Sequence, residues 1–222
     1  MRLRAVIDCA ILAPLLLALA SPARADPPSR EQVAQWCADA EDPAHCGRLI
    51  EAQQLKRLPG LAVRNGNELR ITLFPTGSTT FTDEESLFGG TSYSLWDNWS
   101  PVNAVVLYVT RDERTTFTIL QRATGRKFDL PAEPVLSPDR RHLVTADFCA
   151  SDCSNEVALW QVSRDGIVKQ SSWKPEPAWS DADIKWKDAD TLAVEYTQMG
   201  DARGRTQERK LADKVWRGAG AH

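Results

Sequence analysis

Histidine is scarce in this chain of 222 residues: there are three, His45, His142 and His222. A Ser, His and Asp hydrolytic set needs an imidazole within reach of its nucleophile. His45 falls in a helical segment, His142 at a strand start and His222 at the terminus, so none is placed for that role. No Gly-x-Ser-x-Gly elbow, phosphate loop or dinucleotide fingerprint is present either, which removes the motif-based routes to esterase, nucleotide and nicotinamide chemistry. There is no basic excess. Lys and Arg number 27 against 30 Asp and Glu, for a formal charge of −3, a poor match to nucleic acid or an anionic membrane. The leading apolar run, Ala10 to Ala20, is far below the roughly 20 residues of a spanning helix, and no later segment approaches that length.

The flanks of that run carry its meaning. Arg2 and Arg4 precede it and Ala23-Arg24-Ala25 follows it, giving the charged, apolar and small-residue regions of a signal peptide over 1–25. The expectation is an exported protein beginning at Asp26, periplasmic or secreted, with no membrane span after cleavage. Losing three arginines and Asp8 leaves it two charges more acidic than the full chain. Cys9 leaves with the signal. Cys37, Cys46, Cys149 and Cys153 then form an even set in an oxidising compartment, as a disulfide framework does. Three connectivities are possible, and sequence proximity favours Cys37 with Cys46 and Cys149 with Cys153. Rival uses of the second pair fit less well. Cys-x3-Cys lacks a second ligand pair for zinc, and it is not the Cys-x-x-Cys of thiol oxidoreductases.

Two periodicities divide the rest. Over 26–60 the pattern is helical: Ser29 and Gln32 are spaced as a capping box, and Asp42-Pro43 restarts a helix as N-cap and first residue. Pro59-Gly60 closes this hairpin. Over 61–222 short runs rich in Thr, Val, Trp and Phe alternate with turn residues. Strands are expected at 68–74, 78–82, 92–96, 103–110, 114–121, 126–130, 142–148, 156–162, 166–172, 191–198 and 206–211. In 103–110 both faces are apolar, as in a strand buried on both sides. In 114–121 Phe117 and Ile119 alternate with threonines, so one burying face suffices.

A weak repeat organises these strands. Leu136-Ser137-Pro138-Asp139 precedes the strand containing Leu143, Ile184 to Asp188 stands in the same relation to Leu192, and Trp99-Ser100-Pro101 precedes another apolar strand. "PVLSPDRRHLVTAD" followed by "NEVALWQV" resembles the Ser-Pro-Asp-Gly blade of TolB-like and WD40-like β-propellers. The wider pattern over about 68–198 is similar to a group of uncharacterised exported bacterial proteins with such blades. The resemblance implies a mainly β, propeller-like domain with a scaffold role and no attached activity. Arg140 stands where the turn glycine is usual, and three units are visible where a closed ring has at least four. Either a degenerate first blade over 61–82 completes the ring, or the domain is an open sheet array or a β-sandwich.

No metal or cofactor set emerges. Asp181, Asp183, Asp188 and Asp190 lack the glycine and terminal glutamate of a calcium loop and read as turn residues. Asp83-Glu84-Glu85 reads as a solvated loop. Asp147, ending an apolar strand just before the Cys149 loop, is a candidate for loop bonding or recognition. Among eight tryptophans, Trp96 and Trp99 bracket Asp97-Asn98; exposed, they would suit protein or glycan contacts, while Trp160, Trp173, Trp179 and Trp186 read as packing between blades. The candidate binding surface is therefore Trp96, Asp97, Trp99 and Asp147. The leading expectation is a non-catalytic binding or scaffold protein recognising an envelope protein or glycan. An inhibitor or immunity-type protein against a secreted enzyme and a carboxylate-dependent hydrolase are the alternatives.

Overall fold

The computed structural model describes residues 27–85, 90–112, 114–149 and 151–218. The signal segment 1–25, Cys9 and His222 lie outside the described residues. The chain opens with α1 (Arg30–Trp36) and α2 (Pro43–Arg57), joined by the Cys37–Cys46 disulfide. Both starts follow their local signals. Ser29 and Gln32 form a reciprocal capping box, and Asp42 accepts a bond from the His45 N–H ahead of Pro43.

Four antiparallel sheets follow among the described residues, and none closes into a barrel. The first holds β1 (Ala62–Asn65), β2 (Glu68–Thr72) and β3 (Ser78–Thr82); the second holds β4 (Thr91–Trp99), β5 (Ala104–Arg111), β6 (Arg114–Gln121) and β7 (Lys127–Leu130). The third contains β8 (Val135–Leu136), β9 (His142–Asp147), β10 (Glu156–Val162) and β11 (Ile167–Trp173). The fourth contains β12 (Trp179–Trp186), β13 (Thr191–Gln198) and β14 (Gly204–Lys210), after which β15 (Arg217–Gly218) returns to pair with β11. Apart from that return each sheet is a meander in chain order. Four expected strands, 78–82, 114–121, 156–162 and 191–198, coincide with those observed, and β1, β8, β12 and β15 are additional.

Three buried clusters join consecutive sheets. The first packs Leu69, Ile71 and Phe81 against Leu95, Val105, Leu107 and Val109; the second packs Val106, Phe117 and Ile119 against Ile50, Leu143 and Ile167. The third packs Val144, Val157 and Trp173 against Trp179, Ile184, Leu192 and Val194. The two apolar faces of β5 thus belong to two different clusters, as its sequence requires. For β6 the one-sided expectation is corrected: Phe117, Thr118, Ile119 and Leu120 are all buried, Thr118 because its hydroxyl donates to Asp129 at 2.6 Å. Asp181 and Asp183 are corrected from turn to strand, since both lie in β12; Asp183 pairs with Arg30 at 3.2 Å.

Helix α2 lies along the free edge of the second sheet. An open edge presents unpaired backbone groups; here side chains one helical turn apart meet them. Arg48 donates to the Tyr93 carbonyl at 2.9 Å, Glu51 accepts from the Leu95 N–H at 3.0 Å, and Gln54 donates to the Trp96 carbonyl at 2.7 Å. Arg64 of β1 forms a two-pronged pair with Glu51, 2.8 Å at each contact. Asp83 receives Arg48, Arg64 and the Tyr93 N–H, the last at 2.9 Å, so the solvated reading of 83–85 fails at its first residue. Loss of solvent, followed by the Arg64 charge beside it, lowers the Arg48 pKa, with Glu51 opposing. The approach is close because position 47 is glycine: a Cβ there would meet Ser94 Oγ and Tyr108 Cδ1, each at 2.9 Å.

Truncating Glu51, 2 % exposed, leaves the Leu95 N–H without its acceptor and takes the two-pronged partner from Arg64, which keeps Asp83 at 3.3 Å and the Tyr93 carbonyl. Glu51→Ala is expected to lower unfolding stability by about 3–5 kcal/mol, the usual cost of breaking a buried ion pair from one side. Urea denaturation checks this; a loss below about 1 kcal/mol would mean that the helix does not depend on the network.

Candidate binding cleft

The register of β4 against β5 slips between Leu95 and Asp97. Such a bulge re-aims the residues beyond it, and four in succession, Ser94, Leu95, Trp96 and Asp97, are buried. Trp96 is corrected from an exposed aromatic to a core one. It stacks on Tyr108 with ring centres 5.6 Å apart and meets Phe117 edge-on at 5.4 Å. Its indole N–H still reaches the surface side, donating to Glu133 Oε1 at 3.2 Å. After Trp99 a 3₁₀ turn, Ser100–Val102, and Asn103 in the left-handed region (φ 51°) lead into β5.

These residues form one wall of a cleft of about 510 Å³; Glu133 to Pro138, Lys185 and Trp186 form the other. Trp186 holds that wall by donating to the Val135 carbonyl at 2.9 Å. Trp99 is half-buried and borders the opening. Asp97 is buried and accepts from the Asn98 N–H at 2.7 Å. The Asn98 side-chain oxygen is buried with no hydrogen-bond partner among the described residues. Glu133 is the cleft's titrating group. As a residue it stays open to solvent, while protein surrounds its carboxyl on the remaining sides. Loss of solvent pushes it up to about 7; the Trp96 N–H and Arg30 oppose the rise, while Asp183 and Asp97 add to it.

Asp147 is not in this cleft. Its carboxylate accepts from the Ser154 N–H at 2.8 Å and hydroxyl at 2.7 Å, closing the loop that Cys149 and Cys153 bridge. The surface expected from sequence therefore divides: Trp96, Asp97 and Trp99 come together, and Asp147 is occupied with the loop's geometry. A bridge over so short a loop contributes about 2 kcal/mol at most. Glu133 was not among the sequence candidates; its one signal is the flanking Pro131 and Pro134, which stiffen the connection carrying it. His45 accepts from the Glu41 N–H, and His142 Nδ1 is buried without a partner among the described residues.

Among the described residues no group of three or more His, Cys, Asp and Glu is arranged to hold a metal ion, and no helix is long and apolar enough to cross a membrane. No family model, curated protein or solved structure matches the chain.

The raised carboxyl has a pH signature. Between the ordinary glutamate value of 4.5 and about 7, the folded chain holds a proton on Glu133 that the unfolded chain has released. That contribution to stability is complete below the window and is lost as pH rises through 7. Thermal melts should show a fall from pH 5 to pH 8 that shrinks in Glu133→Gln. A Glu133 carboxyl titrating by NMR at its ordinary value would contradict the cleft electrostatics.

Proposed function

We propose that the protein is an exported, non-catalytic binding module and that its cleft recognises a segment of envelope glycan. The carrying observation is the set of groups meeting there: the half-buried faces of Trp99 and Trp186, the Asp97 and Glu133 carboxyls and the buried Asn98 amide oxygen. Sugar rings present apolar C–H faces that pack on indole, and hydroxyls that donate to carboxylate and amide oxygens. A cleft with aromatic walls and a few convergent polar groups has the composition of a small-ligand site.

The scaffold reading rests on the order of the sheets. Four chain-ordered antiparallel sheets whose clusters link neighbours in sequence support a propeller-like array of blades in an open arrangement. The two disulfides and the signal-like leader support an oxidising, periplasmic or secreted setting.

A second reading, a carboxylate-dependent hydrolase, is favoured by one observation. Glu133 is pushed up to about 7 beside Asp97, and carboxyls held apart in pKa can act as acid and base. The two readings separate in one set of measurements. Envelope glycans presented on an array should be retained without being cleaved, and Trp99→Ala and Glu133→Gln should each weaken retention at least about tenfold, the effect of 1.4 kcal/mol. Turnover that disappears in Glu133→Gln would place the hydrolase first. Retention of an envelope protein in place of glycan would replace the ligand class.

A further inference from the structure

A second cavity, of about 640 Å³, lies behind the Trp99 and Pro101 wall, between the second and third sheets. Its volume is that of an ordinary small-ligand pocket. Ile119, Val162 and Ile167 line its interior, with Trp99 and Val102 at the side. The polar groups along it fall into two sets. Gln121, Thr124 and Ser163 are occupied with one another: Thr124 donates to Gln121 at 3.3 Å and Gln121 to the Ser163 carbonyl at 3.2 Å. Arg140, Arg164 and Asn103 also line it, and none of their side chains makes an ion pair or hydrogen bond among the described residues.

Arg140 is placed at a conformational cost. It has φ +65° at the end of the Ser137-Pro138-Asp139 turn, where its N–H donates to the Ser137 carbonyl at 2.9 Å. Glycine fits that left-handed position without strain, whereas the Cβ of a larger L-residue crowds the following carbonyl there. The turn holds without the arginine side chain, because Ser137 donates to Asp139 at 2.6 Å and accepts from the His142 N–H at 3.0 Å. Backbone strain of this kind clusters at binding and active sites. Here the residue, exposed to solvent, brings a cation without a protein partner to the edge of an apolar cavity, in a chain whose acids outnumber its bases.

We infer that this cavity binds a free fatty acid, with the alkyl chain against Ile119, Val162 and Ile167 and the carboxylate at Arg140, Arg164 and the Asn103 amide. Charge complementarity selects an anionic head, and the planar guanidinium fork matches a carboxylate. A bound peptide would bring backbone donors and acceptors into a lining whose Gln121, Thr124 and Ser163 groups are already paired, and leaving them unmatched opposes binding. An alkyl chain asks nothing of those groups. This cavity shares Trp99 and Pro101 with the first cleft, but Arg140, Arg164 and Val162 do not line that cleft, so substitutions at those three test this site apart from the glycan reading.

The test is titration calorimetry of the full folded protein with decanoate, below its micellar concentration, and with decanol as the uncharged counterpart. Decanoate should bind and decanol should bind at least about tenfold more weakly, a charge-assisted contact being worth that much. Arg140→Gly should weaken decanoate about tenfold while melting no lower than the parent, which separates loss of the head-group contact from loss of fold. Val162→Trp, which fills the cavity, should abolish binding of both probes. Absence of decanoate binding would overturn the proposal, as would equal affinities for the two probes or a decanoate affinity unchanged in Arg140→Gly.

Discussion

The edge of the second sheet is the constraint on which the rest depends. Strand β4 carries backbone groups on its outer side that water or protein must satisfy, and α2 satisfies three of them with Arg48, Glu51 and Gln54. Residues three apart on a helix advance about 4.5 Å, and residues two apart on a strand about 6.6 Å. A helix and a regular strand therefore drift out of step. The bulge between Leu95 and Asp97 brings them back: the third contact falls on the Trp96 carbonyl rather than on residue 97. The helix thus marks where the bulge sits, and the bulge decides that Trp96 turns into the core and that Asp97 reaches the cleft.

Charge is what makes this arrangement specific. Arg48, Glu51, Arg64 and Asp83 come from α2, β1 and the end of β3, two of each sign. A buried ion pair adds little net stability over an apolar replacement, but a mispaired one is costly. A helix displaced by one turn would put Gly47 out of its place against Ser94 and Tyr108 and separate Arg64 from Glu51. The network therefore penalises wrong dockings more than it stabilises the right one, and the Cys37–Cys46 bridge reduces the range of dockings available to α1 and α2.

What was legible in the sequence was local. Ser29, Gln32, Asp42 and Pro43 announce helix starts because capping involves residues within four positions. The apolar faces of β5 announce an inner strand because alternation needs no partner. Strand β12 was lost for a physical reason: the register slips between Trp179 and Asp181, so the inward residues Trp179, Ala182, Ile184 and Trp186 do not keep a period of two from the start. Asp83 looked solvated because its partners Arg48 and Arg64 lie in α2 and β1, and a charge run carries no mark of a distant cation. Glu133 was invisible for the same reason. Its raised proton affinity comes first from the solvent the fold removes and then from Asp183 and Asp97, neither of them its neighbour in sequence.

The two cavities share a wall, and that shapes what the fold can do with them. Trp99 and Pro101 border both, on the stretch that runs from the bulge into the left-handed Asn103. Proline fixes one backbone angle there, and Asn103 is held from both sides: its N–H donates to the Ser100 carbonyl at 3.2 Å and its carbonyl accepts from the Arg122 N–H at 2.9 Å. Backbone adjustment at this wall is therefore confined, and Trp99 is the large side chain that the two cavities have in common. Substitutions at Trp99 act on both cavities, whereas Glu133 belongs to the first and Arg140 to the second.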